Sequence, residues 1–386
     1  MTQDRIYLDY AATTPVRAEV LDAMLPYFSD VGHNPSSLHR EGRRARAALD
    51  DARDRVAASL GASRREIVFT GSGSEADNQA IFGAARANRE RGTHLLSTAI
   101  EHHAVLHALD ALADEGFAPE LLAVDGDGQI DPAAFAAALT PRTSLASVMY
   151  ANNEIGAVAP IRALARLARE RGTIFHTDAV QAAGWLPIDV RELEVDLLSL
   201  SAHKFHGPKG VGVLYVRDGV ALPALVHGGG QEGGRRSGTE NVAGIVGLAR
   251  ALELAVSERE EKAARVGALR DRLEGGILAA IPDARINGAG GQRLPNSANV
   301  SFADVDSEPL LMALDMAGIA VSAGSACTSG ALEPSHVIAA LRAGERWQRG
   351  VIRFSLGAGT TSEQIERVVA TLSGIIAQLR SAASLA

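Results

Sequence analysis

Between Arg64 and Arg217, short apolar runs alternate with longer stretches whose apolar residues return every three or four positions. EIVFT, HLLSTAI, TSLASVMY, TIFHTD, VDLLSLS and GVGVLYV read as strands. DNQAIFGAARANRE, AVLHALDALADE and PIRALARLARE read as helices, with Leu106, Leu109 and Leu112, or Ile161, Leu164 and Leu167, on one face. This alternation predicts an α/β fold, a mainly parallel sheet covered by helices on both faces. A glycine-rich stretch, HGGGQEGGRRSG, follows, and then a helical pattern from about Val242 to Leu273. Beyond it NSANVSF, GIAVSA and RFSLG read as strands and EQIERVVATLSGIIAQLR as a closing amphipathic helix. The change in pattern places a domain boundary inside the long helix, near Val256.

A chain of 386 residues is long enough for two domains. Its 46% hydrophobic and 22% charged residues are those of an ordinary globular protein. The formal charge of −8 argues against nucleic acid or an anionic membrane as the main partner. No apolar run approaches the roughly 20 residues that span a bilayer, and MTQDRIYLDY lacks the regions of a signal peptide. The lone cysteine, Cys327, cannot form an internal disulfide, which fits a reducing compartment. These features together predict a cytoplasmic protein.

Candidate chemistry gathers where strands end, the position at which open α/β sheets bind ligands. In SAHKFHGPKG, Lys204 follows a strand and is flanked by Ser201, His203 and a glycine-rich turn. Most lysines are surface charges, but a partly desolvated amine becomes a nucleophile for an aldehyde. In FHTDAVQAAG, Asp178 ends another strand, where it serves either as a helix cap or as a buried acid. The pair points to pyridoxal phosphate, which needs a lysine for its aldehyde and an acid against its pyridinium nitrogen. FTGSGSEADN opens a helix after a strand, so its N–H groups and Ser74 can receive a phosphate. Gly71, Gly73 and Ala76 also satisfy a dinucleotide fingerprint, but the acid expected about 20 positions later is missing. In AIEHHAVLH, His102 follows a strand and suits stacking on a cofactor ring or proton transfer. It reads equally as a helix-start residue. His103 and His107, four apart, offer half of a metal site with nothing nearby to complete it, so no metal is expected.

YLDYAATTP, NPSSLHREG, FTGSGSEADN, EHHAV, NNEIG, HTDAVQAAG, SAHKFHGPKGVG, RRSGTEN, GSACTSG and IRFSLG appear in this order from about Tyr7 to about Gly357. Together they closely resemble the cysteine desulfurases of the NifS/IscS type, within the fold-type-I pyridoxal-phosphate enzymes. The resemblance implies a seven-stranded, mainly parallel large domain over residues 14–255. It implies a smaller α+β domain built from residues 1–13 and 256–386, carrying the cysteine loop. It also implies a homodimer acting on L-cysteine. Carried over, it makes Lys204 the cofactor's covalent partner and Asp178 the partner of the ring nitrogen. Gln181 would bond the ring's phenolic oxygen and His102 would stack on the ring. Gly73, Ser74, Ser201 and His203 would hold the phosphate, with Thr239 reaching in from the other subunit. Asn152 would sit near the ring oxygen and the substrate carboxylate, Arg353 would bind that carboxylate, and Asn34 would line the substrate pocket. Family members often show SGATE where this chain has GSGSE, so Gly73 and Ser74 replace alanine and threonine.

In VSAGSACTSG the neighbours of Cys327 are small, with nothing bulky to bury its sulfur. The resemblance makes this thiol the acceptor of the substrate's sulfur, as a persulfide passed on to acceptor proteins such as an iron–sulfur scaffold or carriers for RNA thiolation. Selenocysteine lyase or aminotransferase activity on the same fold remains the nearest alternative, and a nicotinamide oxidoreductase a more distant one.

Overall fold

The computed structural model describes residues 5–324 and 335–383. A short strand, β1 (Ile6–Tyr7), precedes seven strands of one large sheet. These are β2 (Ile67–Thr70), β3 (His94–Thr98), β4 (Ala118–Leu122), β5 (Thr143–Ser147), β6 (Ile174–Asp178), β7 (Leu197–Ser201) and β8 (Gly212–Val216). Their spatial order is β2-β8-β7-β6-β5-β3-β4, and β8 alone runs antiparallel to its neighbours. The central strands are buried on both faces, which is why TSLAS and LLSLS carry no clean alternation. β4 is the strand the pattern does not announce. APELL is mostly exposed and holds a proline, features tolerated only at an edge such as the one it occupies beside β3.

The helix expected from Asp77 begins four residues earlier and spans Gly73–Ala87. Ser72 sets this start, since its hydroxyl accepts the N–H of Glu75 at 3.0 Å. The long helical pattern divides into Val242–Ser257 and Arg259–Ala280, meeting at Glu258. The two halves serve different cores. Ile245, Leu248 and Leu252 pack with the large sheet, whereas Val266, Leu269, Leu273 and Ile277 pack in a second cluster.

That second cluster surrounds an antiparallel sheet of β9 (Ala284–Ile286), β10 (Ser297–Phe302) and β12 (Val351–Ser355), with β10 in the middle. β11 (Ile319–Ala320) is shorter than the GIAVSA run suggests and pairs in parallel with β1. Ile6 and Leu8 are buried beside Phe354 and Leu356, and the closing helix Ser362–Ala383 covers the same core. The earliest described residues are therefore built into the later part of the fold. No helix among the described residues is long and apolar enough to cross a membrane.

Candidate active site

The carboxyl ends of β2, β3, β5, β6 and β7 open on one edge of the sheet, where they wall a cavity of about 240 Å³. Lys204 follows β7 in a single tight turn, Ala202–Lys204, and its Nζ donates to the carbonyls of Ala11 at 2.6 Å and Ala12 at 2.9 Å. Asp178 ends β6 with its side chain buried, and its Oδ1 accepts the N–H of Val180 at 2.9 Å. Burial pushes this carboxyl up to about 6, against the opposing pull of the Val180 N–H and the Lys204 ammonium. The local turn and the buried acid are thus the same residue.

Two further carboxyls share this interior. Asp77, on the first turns of the Gly73–Ala87 helix, lines the cavity and is driven well above the usual carboxylate range by burial and by Asp178. Glu101 is pushed up to about 8 by burial. Its Oε1 accepts from the Thr98 hydroxyl at 2.6 Å and the Met149 N–H at 3.1 Å, which ties the ends of β3 and β5 together. His102, next in sequence, caps the helix His103–Asp114 and also lines the cavity. Its Nδ1 accepts the N–H of Ala104 at 3.1 Å, so the neutral ring carries its proton on Nε2. Burial, aided by the nearby Lys204, lowers this imidazole to about 4.

The anion end of the cavity is the start of the Gly73–Ala87 helix, whose first N–H groups have no partner within the helix. Gly73 lies tight against the ends of the neighbouring strands. A Cβ there would sit 3.0 Å from Val180 Cγ2 and 3.1 Å from Ser201 Cβ. Ser72, Ser74, Ser201 and His203 complete this end. His203 is held by Thr13, whose Oγ1 lies 3.1 Å from its Nδ1, and burial lowers its ring to about 4. Gln181 is buried, and its Nε2 donates to the Ala11 carbonyl at 2.9 Å. Arg353, in the middle of β12, also lines the cavity and is almost wholly buried. Its Nη2 donates to Asp9 Oδ1 at 2.8 Å and its Nη1 to the carbonyl of Asn153 at 2.9 Å.

Asn152, Asn34 and Thr239 do not line this cavity. The Asn152 amide is already engaged: Nδ2 donates to the Ile100 carbonyl at 2.8 Å, and Oδ1 accepts the N–H groups of Glu154 and Ile155, each at 2.9 Å. Its neighbour Asn153 lines the cavity instead. Asn34 is exposed, with its Oδ1 closing the NPSS turn on the N–H of Ser36 at 2.8 Å, and it does not line this cavity. Thr239 is exposed and does not line the cavity of its own chain. Cys327 lies outside the described residues. His103 and His107 stack with ring centroids 5.0 Å apart, and among the described residues no group of three or more ligand-type side chains could hold a metal ion.

What the sequence did not single out is the run Asp9–Thr14. It supplies the carbonyls that receive Lys204 and Gln181, the hydroxyl on His203 and the carboxylate on Arg353. The motif YLDYAATTP was the available signal, although no partner for any of its residues is visible in it.

The donor set fits pyridoxal phosphate. A buried acid stands ready for a ring nitrogen, an amine for an aldehyde, and the helix start at Gly73 with Ser74 and Ser201 for a phosphate. A model of the class-V aminotransferases matches residues 6–368. The cysteine desulfurase IscS of Clostridium botulinum is 48% identical over 378 residues, covering 97% of this chain and 95% of that protein. The cysteine desulfurase NifS of Azotobacter vinelandii is 48% identical over 377 residues, covering 97% and 94%. Among solved structures, a NifS-like protein superposes with a TM-score of 0.91 at 37% identity, covering 97% of this chain and all of the other. SspA in complex with cysteine superposes with a TM-score of 0.81 at 37% identity, covering 92% and 100%. A catalytic edge of this make, carried on this fold and shared along nearly the whole chain, places the protein in the class-V aminotransferase family, among the cysteine desulfurases of the NifS/IscS type.

Proposed function

We propose that this protein is a pyridoxal-phosphate-dependent cysteine desulfurase that converts L-cysteine to L-alanine and retains the sulfur on Cys327 as a persulfide. The observation that carries the reading is the convergence of Lys204 and Asp178, from the ends of adjacent strands, on one cavity that Arg353 also lines.

When bound, pyridoxal phosphate supplies an electron sink for charge at the substrate's α-carbon. The chain's own residues do the remainder. Asp178 holds the ring nitrogen in its protonated form, Gln181 orients the ring oxygen, and the helix start with Gly73, Ser74, Ser201 and His203 holds the phosphate. Arg353 takes the substrate carboxylate through its planar fork, with Asn153 at its side. Lys204 would hold the cofactor through its aldehyde and, as a free amine, would take the substrate's α-proton. His102 stacks on the ring, and its Nε2 is the ring position left for proton transfer. Cys327 then attacks the substrate's sulfur as a thiolate. An S–S bond forms and the C–S bond breaks. The bonding pair stays with the three-carbon skeleton, which takes up a proton and leaves as alanine.

In the same reading the protein is a cytoplasmic homodimer. The exposed Thr239 completes the phosphate site of the partner subunit, and the persulfide passes to acceptor proteins for iron–sulfur cluster assembly or thiolation. Purified Cys327→Ser protein tests the central claim. It is expected to keep its visible cofactor absorbance and its spectral response to L-cysteine, yet form no persulfide and release no sulfide under reductant. Normal alanine production by that variant would remove Cys327 from the reaction.

A further inference from the structure

Among the described residues Arg353 is the largest fully buried side chain, and an isolated guanidinium in such a place is unfavourable without a counter-charge. Two contacts hold it. Asp9 Oδ1 accepts from Nη2 at 2.8 Å, and the carbonyl of Asn153 accepts from Nη1 at 2.9 Å. Among the described residues its buried Nε has no hydrogen-bond partner. A buried donor without a partner calls for an explanation, and here it belongs to a residue lining the cavity. Asp9 is itself fixed from behind. It forms a bridge with Ser355, its carbonyl accepts the Tyr7 hydroxyl at 3.0 Å, and it begins the segment whose carbonyls receive Lys204. One short stretch thus sets both the amine and the guanidinium.

We propose that Asp9 is a positioning residue for the substrate's carboxylate, holding Arg353 by one corner so that Nε–H and the remaining guanidinium hydrogens are presented to it. The inference rests on the reading of Arg353 as the carboxylate clamp. Asp9 need not touch the substrate. Its work is to keep a planar, bidentate donor at a fixed angle, where a carboxylate can accept two parallel hydrogen bonds. The Asn153 carbonyl alone would leave the guanidinium free to turn about that single contact.

The experiment compares the holoenzyme with Asp9→Ala, Asp9→Asn and Arg353→Ala variants, using the shift in cofactor absorbance to titrate L-alanine and cysteamine. L-Alanine carries the carboxylate, and cysteamine is the decarboxylated counterpart of the substrate. In Asp9→Ala, L-alanine is expected to bind about tenfold or more weakly, with cysteamine within about threefold of wild type. The KM for L-cysteine rises with the same factor and kcat stays close to wild type. Asp9→Asn, whose amide oxygen still accepts from Nη2, restores L-alanine binding to within about threefold. Asp9→Ala binding L-alanine normally while Arg353→Ala does not would overturn the role of Asp9 and leave the clamp standing. Equal loss of cysteamine and L-alanine would also overturn it, making Asp9 a support of the whole site. Tighter L-alanine binding by Asp9→Asn would mean that Asp9 competes with substrate rather than positioning its receptor. Arg353→Ala binding L-alanine as wild type does would sink the clamp itself.

Discussion

Replacing Asp178 with asparagine is expected to stabilise the cofactor-free protein while removing its chemistry. The Asp178 carboxyl titrates at about 6 in the folded chain against an ordinary value of 3.8, because burial disfavours its charged form. The difference of about 2 pKa units, at about 1.4 kcal/mol each, makes ionised Asp178 a liability of about 3 kcal/mol in the apoprotein. The sign follows from proton counts. Between 3.8 and about 6 the folded state binds more protons than the unfolded state, so this contribution to stability falls as pH rises. Asparagine keeps the oxygen that accepts the Val180 N–H and never ionises. At pH near 8 the apo variant should therefore resist urea better than apo wild type by up to about 3 kcal/mol. The gap should shrink to below about 1 kcal/mol as pH approaches 4. The holo variant, lacking an acid against the ring nitrogen, should lose about a thousandfold or more in kcat/KM. An apo variant less stable than wild type at pH 8, or a gap that ignores pH, would refute the reasoning.

Two other expectations concern the cofactor's seat. Lys204→Ala should yield protein in which borohydride fixes no cofactor to the chain, and residual covalent labelling would point to another lysine. Gly212→Ala should weaken pyridoxal phosphate binding and lower the unfolding midpoint, because a Cβ there would lie 2.6 Å from the backbone of Ser72, at the start of the phosphate helix. Backbone cannot yield as a side-chain tip can, so a loss of about 1–3 kcal/mol is expected by denaturant titration, and an unchanged midpoint would count against the tight fit.

How much of this was legible in the sequence depends on the range of the interaction. Lys204 and Asp178 could be placed because each follows a recognisable apolar run, and strand ends in an α/β sheet share one edge. The role was assigned to Asn152 although Asn153 lines the cavity, since adjacent residues of the same type differ only in how the turn after β5 directs them. β4 escaped because an edge strand needs little apolar character. The change of domain expected near Val256 lies beside the break at Glu258, but the unbroken helical pattern read there as one helix, and packing against two separate cores is what divides it. Asp9 was beyond reach for another reason. Its significance lies in a contact with a residue 344 positions away, and nothing in YLDYAATTP marks the partner.

The seating of β1 against β11, and of Asp9 beside Ser355, has a consequence for biosynthesis. Ile6 and Asp9 must wait without their partners until more than three hundred further residues have been made. Lys204 can acquire the carbonyls of Ala11 and Ala12 only once that early segment has somewhere to dock. A nascent chain can therefore assemble most of its large sheet during translation, yet Lys204 comes to rest only after β11 and β12 have been made.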